Sequence, residues 1–393
     1  MIDTLSSFST DDYSTCSDLS VSSSDKIVSV SPFLNYSPEQ ERVEIFSVIG
    51  MGDPIIDITS HIKPSLIEKY GLKIGDSIFA DETSTDKNIE VFKVLENMET
   101  VNYVPGGSVQ NSMRVLSWCL GMQSKKRGKF RVSMLGSVGD DTYKNKILNA
   151  LRDIGVNPIL QILKGDKTSR CGVAIYQKEK LFVTQLMASK RLSEEYIEEN
   201  LDKIMNHQIL VIEGYLLKNK FDICEKLCDN FSRTKKLVVL TLSATFIIKY
   251  FNDNLMAIAN KADIIAGNME EAKEFAEHQG ETPEEIFKNI FKKLRPKNNR
   301  LLLVTDGPNG AYCVNYDYKN DRIEYIFQYF ANKLKDEEIQ DFNGAGDAFL
   351  GGFLSEYMKG NSILDCLKIG IETSTVILRN VGCTFPKKLN FFY

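Results

Sequence analysis

A series of short apolar runs, each closing on a glycine or a polar turn and each leading into a stretch with helical spacing, leaves this chain few architectures. The stretches 44–50 (EIFSVIG), 131–136 (RVSMLG), 210–214 (LVIEG), 236–242 (KLVVLTL), 262–267 (ADIIAG) and 301–307 (LLLVTDG) carry aliphatic and β-branched residues at consecutive positions. They lack the apolar–polar alternation of a half-exposed strand. A strand buried on both faces needs cover on both. Such strands alternating with helices predict a three-layer α/β fold, a mostly parallel central sheet flanked by helices with ligands at the strands' carboxyl ends. Less regular segments at about 55–64, 75–106 and 164–187 predict a small β-rich lid beside it.

Composition narrows the function classes. At 393 residues the chain can bury a large core. A net charge of −5 offers no basic footprint, which argues against a nucleic-acid partner. No apolar run reaches the roughly 20 residues that span a bilayer, and the N-terminus lacks a secretory signal, so a cytoplasmic protein without a membrane partner is expected. The eight cysteines include no C-x-x-C pair and read as reduced thiols. His61, His207 and His278 lie far apart in sequence, which points away from zinc and histidine triads and toward carboxylates, backbone amides and a hard cation. Residues 1–43 are rich in Ser and Asp and are expected to be disordered, with a phosphorylated regulatory tail as the alternative; the folded domain is expected over 44–393.

Glycine-rich stretches mark the candidate site. In 341–347 (DFNGAGD), Gly344 and Gly346 carry no Cβ, so backbone amides there can approach an anion. Phe349, Phe353 and Tyr357 recur four apart and predict a helix opening beside Asp347. That places Asp347 as the base of a phosphotransferase, or as an acid placed only for the helix dipole. The same helix end is expected to lower its pKa and keep it ionised. In 50–57 (GMGDPIID), Ile55 stands where a dinucleotide fingerprint needs glycine, which weakens an oxidoreductase reading. Asp53 and Asp57 suit a hydroxyl-rich ligand, or form a charged turn. In 106–112 (GGSVQNS), Gly106 and Gly107 precede Ser108 and Asn111, which serve a ligand or cap a helix. Asn268 and Glu271 fit a capping box, or water around a magnesium ion. Thr305, Gly307 and Gly310 form a strand-end turn or a nucleotide loop. All these stretches are expected at strand carboxyl ends.

In this order the motifs resemble the ribokinase-like (pfkB) family of sugar and nucleoside kinases, and within it the adenosine kinase branch, over about residues 44–393. The resemblance rests on 50–57, 106–112, 242–246 (LSATF), 343–349 (NGAGDAF) and 382–386 (GCTFP). It implies ATP-dependent phosphorylation of the adenosine 5′-hydroxyl with Mg2+, by a monomer. Asp347 matches the family's base, and Asn343, Gly344, Ala345 and Gly346 its anion hole. Asp57, Gly107 and Asn111 match residues that hold the ribose hydroxyls, with Asp53, Gly106 and Ser108 close by; Phe79 and Phe246 fall where apolar side chains sandwich the adenine. Asn268 and Glu271 match a motif near magnesium and phosphate. Thr305, Gly307 and Gly310 match the ATP loop, and Lys180 a basic lid residue. The chain departs from the family at Asp53, where Asn is usual, and at Phe342, where Thr is usual. Another nucleoside or sugar kinase of the family, or a nucleoside-binding protein without catalysis, is the alternative reading.

Overall fold

The structure, a computed structural model, describes residues 46–70, 77–80, 86–123, 130–176, 179–294 and 298–386; the Ser/Asp-rich stretch at 1–43 lies outside the described residues. Among these residues the strands are β1 (Phe46–Met51), β2 (Ile55–His61), β3 (Ser77–Phe79), β4 (Asn102–Gly106), β5 (Phe130–Gly139), β6 (Val156–Leu163) and β7 (Ser169–Tyr176). They continue as β8 (Glu179–Gln185), β9 (Ile209–Glu213), β10 (Leu237–Thr241), β11 (Ile264–Asn268), β12 (Arg300–Thr305), β13 (Ala311–Asp317) and β14 (Arg322–Tyr329).

The apolar runs pair as a nine-stranded sheet in the order β14-β13-β12-β11-β10-β9-β1-β5-β6. Every pairing from β12 to β6 is parallel, and β13 and β14 close one edge as an antiparallel hairpin. Consecutive apolar residues serve opposite faces. Ile209 and Val211 join a core with Met113 and Leu116 of the Ser108–Gln123 helix and with Phe349 and Phe353 of the Ala345–Tyr357 helix. Leu210 and Ile212 join a second core with Leu227 of the Phe221–Arg233 helix and Phe287 of the Pro283–Lys293 helix. Unalternated hydrophobicity is therefore the signature of a sheet covered on both sides.

A second, mixed sheet has the order β3-β8-β7-β2-β4 and packs Ile56, Ile58 and Val183 against Phe92 and Leu95 of the Asp86–Glu96 helix. The chain passes from one sheet to the other in the three residues between Met51 and Ile55, so Asp53 sits at the junction. One glycine-rich stretch departs from the expected placement. Gly106 closes β4 of the smaller sheet at its carboxyl end, whereas the turn at 343–346 follows the short helical turn Asp336–Glu338 and irregular chain. A site at the edge of two sheets draws its loops from both.

Glycines let three helices approach closely beneath that site. A Cβ on Gly351 would lie 2.7 Å from the Ser112 carbonyl oxygen, and one on Gly352 would overlap the Thr373 hydroxyl of the Ile363–Leu378 helix. The Gly351→Ala substitution is predicted to cost about 1–3 kcal/mol through overpacking. Denaturant unfolding reads this as a lower midpoint; an unchanged midpoint would mean that the helices have room to part.

Candidate active site

The turn before the Ala345–Tyr357 helix is built by Gly344, which is left-handed at φ +79° and serves as N-cap with no side chain capping the helix end. The first-turn amides of a helix have no intrahelical acceptor, so this end offers unpaired N–H groups and the positive pole of the dipole. A Cβ on Gly346 would meet nothing within 4 Å, which leaves open space in front of those amides. Asp341 anchors the turn from below. Its carboxylate accepts from the N–H of Asn343 (2.8 Å) and of Gly382 (2.7 Å).

Asp347 stands at the third position of that helix, and its carboxylate is held from the side. The Ser108 hydroxyl donates to Oδ1 at 2.7 Å and the Asn111 side-chain amide donates to Oδ2 at 3.0 Å. Ser108 and Asn111, read from the sequence as facing the ribose or as capping groups, thus bind the candidate base itself. The pKa of Asp347 moves opposite to the expectation from its helix position. Burial pushes it above the ordinary carboxylate value, against the lowering effect of the Ser108 and Asn111 bonds. Desolvation outweighs both donors.

Asp57 on β2 lies against Gly106, where a Cβ would overlap the Asp57 carboxylate. Gly107 is left-handed at φ +100°, and a Cβ there would overlap the Asp53 carbonyl oxygen. Both glycines are thus demanded by contact between the two loops. The Arg114 guanidinium, which sequence reasoning missed, donates to the carbonyls of Pro105 (3.0 Å) and Cys383 (3.1 Å). It ties the 106–112 loop to the 382–386 segment, where Phe385 stacks on Trp118 with ring centroids 4.8 Å apart.

Phe246 meets Tyr215, a residue that no motif singles out, with ring centroids 6.0 Å apart. The Tyr215 hydroxyl donates to the Ser243 carbonyl (3.0 Å), and Ser243 is a non-glycine residue at φ +69°. Burial, then the charges of Glu271, Glu213 and Asp347, push the Tyr215 pKa up. Phe79 lies on β3 and Lys180 on β8, and their side chains lie outside the described residues.

On the neighbouring strands, Asn268 of β11 is the register partner of Thr305 of β12. Glu271 Oε2 accepts from the Asn268 N–H and Oε1 from its side-chain amide, both at 3.0 Å, while Asn268 Oδ1 accepts from the Glu271 N–H. The capping box is real. It does not exhaust the carboxylate, because each oxygen keeps a lone pair for water. Burial, followed by the Asp347 charge, pushes the Glu271 pKa up to about 7. Gly310 is left-handed at φ +90°, and a Cβ there would overlap the Tyr329 carbonyl oxygen, so the 305–310 turn is held tight under the edge hairpin. Among the described residues no group of three or more His, Cys, Asp or Glu side chains could hold a metal ion.

Residues 65–389 match the model of the pfkB family carbohydrate kinases. The chain is 28% identical over 351 residues to adenosine kinase 2 of Arabidopsis thaliana, covering 88% of this chain and 97% of the relative. It is 29% identical over 345 residues to the adenosine kinase of Dictyostelium discoideum, covering 86% and 96%. Among solved structures, Anopheles gambiae adenosine kinase in complex with P1,P4-di(adenosine-5) tetraphosphate superposes with a TM-score of 0.74 at 26% identity, over 88% of this chain and 98% of that one. The apo adenosine kinase of Trypanosoma brucei brucei gives a TM-score of 0.75 at 27% identity, over 86% and 99%.

The Ser108 bond favours the ionised form of Asp347, so Ser108→Ala is predicted to raise the Asp347 pKa further. Carbon NMR of the labelled carboxyl should follow that rise, and a fall would show that the bond favours the protonated form.

Proposed function

The chain belongs to the pfkB family of carbohydrate kinases, and we propose that it is an adenosine kinase, transferring the γ-phosphoryl group of ATP to the 5′-hydroxyl of adenosine to give AMP and ADP. The observation that carries this reading is the Asp347 carboxylate beside the open Gly344–Gly346 helix end, held by two donors from the first turn of the facing helix. The near full-length likeness to adenosine kinases supports the nucleoside. So does the Tyr215–Phe246 pair, since a base offers an aromatic face and a free sugar none.

The attacking 5′-oxygen forms its bond to the γ-phosphorus as the bond to the β,γ-bridging oxygen breaks and ADP departs. The hydroxyl proton passes to Asp347. Little nucleophilic push is needed in a loose transition state, so Asp347 chiefly orients the hydroxyl, and the 344–346 amides take up charge on the phosphoryl oxygens. Asp57 and Gly107 hold the ribose, with Asp53 close by, and Asn343 stands at the entrance of the anion turn. Thr305, Gly307 and Gly310, with Lys180 from the lid, receive ATP. Phe79 covers the base from β3, and closure of the smaller sheet excludes water. A magnesium ion fits this donor set: Glu271 and Asn268 would hold it through water, and it would neutralise charge on the phosphates. The protein works as a cytoplasmic monomer in this reading.

Asp347→Ala is predicted to lower turnover by about 10²–10⁴ while adenosine still binds. A product assay with magnesium and ATP across adenosine, inosine, ribose and fructose tests the whole reading. AMP formation should dominate, whereas preferential phosphorylation of a free sugar would replace adenosine as substrate.

A further inference from the structure

Behind the loop that presents Asp53 lie two buried charged residues, Lys220 and Glu213, that the proposed chemistry does not use. Lys220 Nζ donates to Asp53 Oδ1 at 2.6 Å, with the two side chains 2% and 5% exposed. Glu213, at the end of β9, accepts from the Asp53 N–H through Oε1 (2.8 Å) and from the Val109 N–H through Oε2 (3.0 Å). One carboxylate therefore clasps both loops, beside Asp53 on one and beside Gly107 and Ser108 on the other. The fit is close enough that a Cβ on Gly52 would lie 2.8 Å from Glu213 Oε2. Burial, then the Asp53 carboxylate, pushes the Glu213 pKa up, whereas Lys220 draws it down.

Lys220 is costly where it stands. It occupies the N-cap of the Phe221–Arg233 helix without capping it, and a cation at a helix N-terminus opposes the dipole. Desolvating its ammonium group adds a further cost. Only a strong local partner offsets this, and Asp53 is that partner.

We propose that Lys220 is a positioning residue for the nucleoside subsite. By pairing with Asp53 it keeps two neighbouring buried carboxylates compatible, and so holds the 52–57 turn against Glu213 and the 106–111 loop in the shape that receives the ribose. The assignment rests on the functional reading above, and it explains how a carboxylate is accommodated at position 53.

The test uses the full chain with Lys220→Met, Lys220→Arg and the double variant Lys220→Met/Asp53→Asn. Lys220→Met strands two carboxylates without a cation; it is expected to raise the adenosine KM by about tenfold or more and to change the ATP KM by less than about twofold. The double variant removes the uncompensated charge and should recover most of that loss, and Lys220→Arg should lose less than Lys220→Met. An adenosine KM for Lys220→Met within about twofold of the parent overturns the proposal, as does an equal rise in both KM values, which marks a general structural role. If Lys220→Met does not fold, a folded double variant with the parent's adenosine KM supports the pairing, and one with a raised KM overturns it. A parent that forms no AMP sinks the functional reading separately. Adenosine affinity by calorimetry on the same variants then decides on Lys220, and a parent that binds no adenosine overturns both.

Discussion

The site depends on one convergence, in which the N-termini of two helices meet at a single carboxylate. Asp347 accepts from Ser108 and Asn111 in the first turn of the Ser108–Gln123 helix, and one turn further on Gly351 lies against Ser112, Val115 and Leu116. Contacts advancing together in this way mean that the two helices run in the same sense. Parallel dipoles repel, so a side-by-side pair needs a reason. Here their positive ends, each equivalent to roughly half a charge, point at one place. The glycine crossing that permits their approach also creates the field in which an anion can be received.

That field is contested from within. Asp347 and Glu271 both have raised pKa values, and each carboxylate is disfavoured chiefly by burial. An incoming triphosphate would add negative charge to a cleft that already holds it. Helix ends offset part of this.

The sheet was legible because its signal is local: consecutive apolar residues with flanking helical spacing report a strand covered on both faces, and β9 to β12 lie where such runs stand. Asp347 and its glycines were legible for the same reason, as a short motif opening a periodic helix. What escaped was long-range. Lys220 meets Asp53 across 167 residues and Glu213 meets it across 160, and no local pattern announces either partner. Glu213 looked like the polar close of an apolar strand. The pKa of Asp347 was misjudged because the helix end is visible in sequence while the burial that outweighs it is not. Tyr215 was missed because its partner, Phe246, follows a different strand.

The contact between Gly344 and Cys383 has a consequence in time. A Cβ on Gly344 would lie 3.0 Å from the Cys383 Cβ, and Asp341, Arg114 and Trp118 all bind backbone of the segment 382–386. This segment is the last in order of synthesis among those that shape the turn. A nascent chain can therefore form its parallel sheet and both cores while the floor beneath Gly344 is still missing. Closure of the glycine turn waits for residues made after every described strand, so it is completed only once its scaffold is already in place.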